Sequence, residues 1–370
     1  SVASNSGATE AAQAYTVDET YDNGGVPVIG GVEDGHPYSD VVIPTISFQD
    51  VNYSHYEIQL YRTRKDQINV NITDEKNIRA LLSEGEQTLS GELDIFPRNA
   101  DGNFDVTDDG IYSLEITAYD MAGNEHSETV NFTVNRFGSV YEYGSYLISL
   151  IENGGAYVES VAEDLVITEY NANRLVSDSL NIDITLDGRS IDTDYTSTPV
   201  PNEAVAVGES GWFQYQYTIS KDNFQSDGVY RITVSSEDAA ANTPESNPAN
   251  STDESGNAIV DTIQFRVDST APEITSIVGL EDRIINEQSV DVQYTVYDAI
   301  GLESVTVYLN GNAQEPITQF DDMNNYSGTF TINESSSEQT VRIVVKDKAG
   351  NTIDTDDFGK EDAEGNVIVP

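Results

Sequence analysis

The 370-residue chain carries 65 acidic against 17 basic residues, a formal net charge of −48, and no cysteine. That balance excludes a nucleic-acid-binding surface, because no basic face is available to neutralise phosphates, and it excludes charge-driven docking on an anionic membrane. The absence of cysteine excludes disulfides, thiolate metal sites and thiol nucleophiles.

High charge alone would suit a disordered chain. Here 38% of residues are apolar, and 21 Tyr, 11 Phe and 1 Trp fall in strand-like alternation. Folded domains with acidic, cation-attracting surfaces are therefore expected. The chain opens on a polar Ser1-Val-Ala-Ser-Asn-Ser6 and stops at Val367-Ile-Val-Pro370. No signal peptide, membrane-spanning run or anchor is visible, so a segment of a longer protein is expected, without direct membrane insertion.

Residues 1–25 are rich in Ala, Ser, Thr and Gly and read as a linker or the tail of a preceding domain. A first domain is predicted over 26–135. Val41-Val-Ile-Pro-Thr-Ile-Ser-Phe48 and His55-Tyr-Glu-Ile-Gln-Leu-Tyr-Arg62 read as strands. Residues 74–84 predict a short helix, with Asp74 as cap and Ile78, Leu81 and Leu82 as its apolar face. Gly110-Ile-Tyr-Ser-Leu-Glu-Ile-Thr-Ala-Tyr-Asp120 follows, with Leu114, Ile116 and Ala118 on one side, and Thr129-Val-Asn-Phe-Thr-Val134 closes the domain.

A second domain is predicted over 136–268, with strands at Asp164-Leu-Val-Ile-Thr168, Leu180-Asn-Ile-Asp-Ile-Thr-Leu186, Trp212-Phe-Gln-Tyr-Gln-Tyr-Thr-Ile219 and Thr262-Ile-Gln-Phe-Arg-Val267. The polar stretch 243–256 is expected to be a mobile loop. A third domain is predicted over 269–370, after the linker Asp268-Ser-Thr-Ala-Pro272, whose proline fixes φ. Within it, Asn310-Gly311 signals a tight hairpin.

One pattern recurs in all three. An alternating strand ends at an Asp, with an Asn four residues on: Asp120 and Asn124, Asp238 and Asn242, Asp347 and Asn351. The three copies lie roughly a hundred residues apart, the length of one small β-domain. The first and third domains share a second match, Gly31-Val-Glu-Asp34 with Gly279-Leu-Glu-Asp282, each followed sixteen residues later by another Asp, Asp50 and Asp298. The spacing onward to Asp120 is longer than that to Asp347, so the first domain holds an insertion, for which 74–84 is the natural candidate.

Two readings of these aspartates stay open. Calcium takes six to eight oxygen ligands, so Asp34, Asp50 and Asp120, and likewise Asp282, Asp298 and Asp347, are candidate ligand sets if the loops at one end of a sandwich converge. The alternative is an Asx turn, in which Asp and Asn cap their own backbone. No EF-hand loop (Asp-x-Asp-x-Asp-Gly) is present. The cluster Asp101-Gly-Asn-Phe-Asp105 with Asp108 and Asp109 is either a cation site or a solvated loop. Trp212, Tyr215, Tyr217, Tyr141, Tyr143 and Tyr146 are candidate sugar-stacking groups, or core. His36, His55 and His126, the only histidines, have no ligand spacing. No nucleophile elbow or phosphate loop occurs, and no carboxylate pair stands out, so an enzyme is not expected.

The three Asp-x-Ala-x-Asn ends, the Asp268-Ser-Thr-Ala-Pro272 linker, and Asp108-Asp-Gly-Ile-Tyr112 with its looser copy Asp227-Gly-Val-Tyr230 carry a resemblance. Over roughly residues 26–360 the chain resembles tandem bacterial immunoglobulin-like domains, the cadherin- or fibronectin-like sandwiches of large surface adhesins. Gln339 stands where the third copy would need its tyrosine, and the middle domain lacks the Gly-Val-Glu-Asp stretch. The resemblance implies an all-β fold of three tandem β-sandwiches and a secreted, wall-attached Gram-positive surface protein. It does not identify a ligand; from the residues themselves no cofactor is required and Ca²⁺ is the candidate ion. Some sandwiches of this kind carry a Lys–Asn isopeptide crosslink, for which Lys221 and Lys346 are conceivable donors. The expected role is a monomeric stalk joined to adjoining domains of a longer chain. The rival expectation is an adhesive module gripping a host glycoprotein, an immunoglobulin included, or a glycan, through the insertions at 74–91 or 243–259.

Overall fold

The computed structural model describes residues 25–199, 211–280, 285 and 287–360. Six sheets pair face to face into three β-sandwiches, each around its own apolar core. The fold is all-β, as the alternation predicts.

In the first sandwich the long strand Tyr53–Arg64 runs antiparallel to Gly110–Asp120, with Ile58 opposite Ile116 and Leu60 opposite Leu114. All four are buried, because every second residue of a strand points the same way. Burial of each such side chain stabilises the sandwich by about 1.5–3 kcal/mol. The facing sheet contributes Ile46 and Phe48 from Thr45–Gln49. In the second sandwich, Leu165–Asn171 and Phe213–Ile219 bury Leu165, Ile167, Tyr215 and Tyr217 against Ile182, Ile184, Ile232 and Phe265 of the opposite sheet. The third is smaller, with Tyr294 and Val296 of Ser289–Tyr297 packed with Val305, Ile343 and Val345.

Three local expectations need correction. The helix expected over 74–84 is a single 3₁₀ turn, Ile78–Leu81, followed by a short edge strand, Leu82–Glu84. Asn77 enters it at φ 50°, a left-handed conformation that a regular helix start cannot use, and Leu82 pairs with Gly91 across the sheet. Strand pairing thus overrides a helical pattern too short to hold alone. The stretch 243–256 is not merely loop. It holds a 3₁₀ turn, Pro248–Asn250, closed by a reciprocal Asn247–Asn250 capping box, and the strand Ser251–Asp253, which adds in parallel to Val140–Tyr143. The α-helix Ser145–Ile151 was not expected; its Leu147, Leu150 and Ile151, spaced three and four apart, seal the second core.

Other readings hold. Asn310 and Gly311 sit at φ 52° and 77°, the paired left-handed conformations of a two-residue hairpin. Both tyrosine corners form: Tyr112 Oη donates to the carbonyl of Asp108, and Tyr230 Oη to that of Ser226 at 2.8 Å. In the third sandwich Gln339 binds the Asn333 carbonyl instead.

Tyr230→Phe keeps the ring packed against Phe224 and Phe265 but orphans the Ser226 carbonyl. A loss of about 1–3 kcal/mol is expected in urea unfolding followed at the second sandwich. A cost within error of zero would show that the corner hydroxyl contributes nothing.

Candidate metal centre at the second domain junction

The repeated aspartates are first of all turn residues. The amide of Asn124 donates to Asp120 Oδ1 at 2.7 Å, and its side-chain amide to Oδ2 at 2.7 Å. The same pair of bonds joins Asn242 to Asp238 and Asn351 to Asp347. A fourth copy, Asp253 with Asn257, escaped the sequence reading. Here Asp253 is half-buried and residues 254–258 are exposed, and the same two bonds form.

In the third sandwich the turn is part of something more. Asp268 directly follows the closing strand Gln264–Val267, Asp298 follows Ser289–Tyr297, and Asp347 ends Val341–Asp347. All three are buried, and each offers a carboxylate oxygen within 4.8 Å of the other two. Asp298 Oδ1 accepts from the amides of Ile300 and Gly301, at 2.8 and 2.5 Å. Asp347 Oδ1 accepts from Gly350 and Asn351, at 2.7 and 2.9 Å. The Asn351 side chain also donates to the Asp268 carbonyl at 2.8 Å, which ties the linker to the turn. Asp268 is 2% exposed; its Oδ1 takes a long 3.3 Å bond from Thr270, while its buried Oδ2 has no hydrogen-bond partner.

An unpartnered buried carboxylate oxygen facing two further carboxylates is costly in any protein interior. Burial, then the charges of Asp298 and Asp347, push the Asp268 carboxyl up to about 7. Burial likewise raises Asp347 against the bonds from Asn351 and Gly350. Among the described residues no lysine or arginine forms an ion pair with the three. The donor set is oxygen only, which fits a hard cation such as Ca²⁺ and not zinc.

Asp298 and Asp347 were read from the sequence as one candidate set with Asp282; Asp268 was not, although it follows its domain's closing strand as Asn135 does one domain earlier. Asp282 lies outside the described residues. In the first sandwich Asp50 and Asp120 are buried at the positions that Asp298 and Asp347 hold in the third. Asp34 stands apart from any such group: it is exposed and takes the Asn131 amide at 2.8 Å. In the acidic loop, Asp108 is held by Arg62 and Lys76 at 3.3 and 2.5 Å, and Asp109 by Arg136 at 2.8 Å, so its inner carboxylates are already neutralised. Tyr141, Tyr143, Tyr215 and Tyr217 are core residues, and Tyr146 spends its hydroxyl on the Ala162 amide. Trp212, 6% exposed, packs on Ile111 of the first sandwich and donates to the Thr63 carbonyl at 3.1 Å. His55 stacks on Tyr119 and His36 leans on Tyr38. Lys346 pairs with Glu303 at 2.6 Å, and the Lys221 ammonium reaches the Ala162 carbonyl at 3.4 Å.

At the first junction the corresponding positions are Asn135, Asn171 and Asp238, all buried. The Asn135 side-chain amide donates to Asn171 Oδ1 at 2.8 Å and Asp238 Oδ2 at 3.0 Å; that of Asn171 donates to Asp238 Oδ2 at 3.1 Å and to Ser139 Oγ at 2.9 Å. Ser139 continues inward to Glu169, whose carboxylate also collects Ser236 and Tyr217, at 2.5, 2.7 and 2.5 Å.

No described family and no curated protein matches this chain. Among solved structures it is similar to a tetra-tandem repeat from the extending region of a large adhesion protein, at 17% identity over 90% of this chain and 72% of that one, TM-score 0.31. It is also similar to the CbhA fibronectin(III)-like modules of Clostridium thermocellum, at 12% over 54% and 84%, TM-score 0.21. A third is a mixed-linkage glucan utilization locus protein of Bacteroides ovatus in complex with a heptasaccharide, at 15% over 88% and 66%, TM-score 0.18. Scores this low carry no functional argument.

Glu169 gives the pH prediction. Burial raises its carboxyl above the ordinary 4.5, against the pull of the surrounding hydroxyls. The folded state then binds the proton more tightly than the unfolded chain, and stability is lost as pH rises from about 4.5 through the folded pKa. Glu169→Gln should flatten that slope in the urea midpoint of the second sandwich. An unchanged slope would assign it to another group.

Proposed function

We propose that this chain is a non-enzymatic spacer segment of a bacterial surface adhesion protein, with a calcium ion held between its second and third sandwiches. The observation that carries the reading is the buried triad of Asp268, Asp298 and Asp347 at a domain junction, with one carboxylate oxygen unpartnered. One ligand comes from the linker and two from the ends of third-sandwich strands. An ion there fixes the angle between neighbouring modules, which is a mechanical function. The high negative charge keeps successive modules apart and soluble. Extracellular placement and wall attachment through other parts of the protein belong to the same reading, because a permanently filled calcium site needs millimolar ion if its affinity is modest. The rival reading, adhesion to a host glycoprotein or glycan, loses its aromatic platform, since the candidate rings are buried or bonded.

Calcium titrated into chelator-treated protein should release or absorb heat with one junction site, and should raise the melting temperature of the third sandwich. At a hundredfold excess over the dissociation constant the gain is about 2.7 kcal/mol. Asp298→Asn should weaken binding at least tenfold. Superimposable melting curves with calcium and with chelator, and no binding heat, would reject the site. Single-sandwich fragments on glycan arrays test the rival; a specific hit would replace the spacer role.

A further inference from the structure

The two junctions are built on the same three positions but with different charge. Asn135 and Asp268 both follow a closing strand, Asn171 and Asp298 both lie at the end of the strand leading into the next loop, and Asp238 and Asp347 open the Asp-to-Asn turn. Even the tie to the linker is the same: Asn242 donates to the Asn135 carbonyl at 2.9 Å as Asn351 donates to that of Asp268 at 2.8 Å. Three carboxylates at the second junction correspond to one carboxylate and two amides at the first.

We propose that the first junction is locked without a metal, its Asn135 and Asn171 amide protons taking the bridging place of a cation, so that a divalent cation controls only the articulation between the second and third sandwiches. The second half of this statement rests on the calcium reading above; the first half does not. An amide supplies both a donor and an acceptor, so two amides and one carboxylate can satisfy one another completely. Three carboxylates are acceptors only and cannot. Asn135 accordingly gives to Asn171 and Asp238 while its own Oδ1 accepts from Gly138 at 2.9 Å, whereas Asp268 keeps an orphaned Oδ2.

Packing divides the junctions the same way. Ile111 of the first sandwich is buried against Ala172 and Trp212 of the second. Lys65 crosses to Glu142 at 2.8 Å and lies over the Tyr170 ring, and the buried Arg136–Asp109 pair joins the linker to the first sandwich. At the second junction the described links are polar: Asp227 receives the Ser269 and Thr270 hydroxyls at 2.8 and 2.5 Å, and Lys348 lies over Tyr157 at 4.9 Å. No buried apolar cluster spans it among the described residues.

The test uses the full chain, which has no native cysteine to interfere. Thr129→Cys with Ser190→Cys places nitroxide labels across the first junction, and Ser190→Cys with Thr329→Cys across the second; all three positions are exposed. Electron–electron distance distributions are recorded with calcium chloride and with EDTA. The first pair should give one narrow distribution, unchanged by EDTA. The second should be narrow with calcium and at least twofold broader with EDTA. Broadening of the first pair in EDTA overturns the metal-free lock, whatever the second does. If the chain takes up no calcium by calorimetry, the calcium reading fails and the first pair alone decides the lock. If calcium binds and the second pair does not sharpen, cation control of articulation is overturned. Asn135→Asp with Asn171→Asp should make the first pair respond to calcium; a folded double variant whose first pair stays narrow in EDTA would show that packing, and not the amides, holds that junction.

Discussion

Buried carboxylates without counter-charge are the constraint on which the second junction depends. Asp268, Asp298 and Asp347 come together because each closes or follows a core strand, and the strands cannot move without opening the sandwich. The backbone amides of the turns satisfy part of their demand, at Ile300, Gly301, Gly350 and Asn351. They do not satisfy Asp268. The linker is thereby held in a state that is stable only if the remaining charge is answered, by a proton or by a cation. Burial beside Asp298 and Asp347 raises the Asp268 carboxyl to about 7, so a proton answers that charge below this pH.

The middle sandwich solves the same geometric problem by other chemistry. Its junction positions are mostly amides, and the hydrogen-bond chain that begins at Asn135 runs through Asn171 and Ser139 to Glu169, deep beneath the sheet. The Glu169 carboxyl at its inner end is surrounded by hydroxyl donors, which offset part of the cost of burying it. The apolar seal of Ile111, Ala172 and Trp212 then excludes water from the contact between the first two sandwiches. Satisfied polar groups and packed apolar ones reinforce each other at this junction, while at the second the polar groups must carry the contact.

Much of this was legible in the residues, and what was not has physical causes. Period-two alternation located the core strands, because a strand buried on one face must alternate. The Asp-to-Asn repeat marked the end of the same strand three times, because the turn needs both side chains. Asp34 was misplaced because a shared tetrapeptide says nothing about where its side chain points; here it points at Asn131. Asp268 was missed because a linker residue shows no periodicity, and its role appears only when two other segments arrive beside it. The helix at Ser145–Ile151 was missed because seven residues give barely two turns of pattern, and its apolar stripe is fixed by the core it covers. Pairing with distant strands decided Leu82–Glu84 and Ser251–Asp253, and such pairing is not encoded locally.

Net charge alone explains little of this arrangement. Exposed carboxylates at physiological ionic strength are screened over about 8 Å and make negligible demands on their neighbours. Asp253, in its exposed turn, has a carboxyl held below the usual range by Asn257, with no strain to relieve. Asp347, in the same turn with the same Asn partner, is raised because it is buried beside other acids. The two share the Asp, Gly and Asn of the turn and differ in solvent and company. A turn motif becomes a candidate ion site only where domain packing removes water from it, so the site is a property of the junction and not of the motif. The two junctions differ at one position from the preceding module and one from the following module: amides at Asn135 and Asn171, carboxylates at Asp268 and Asp298.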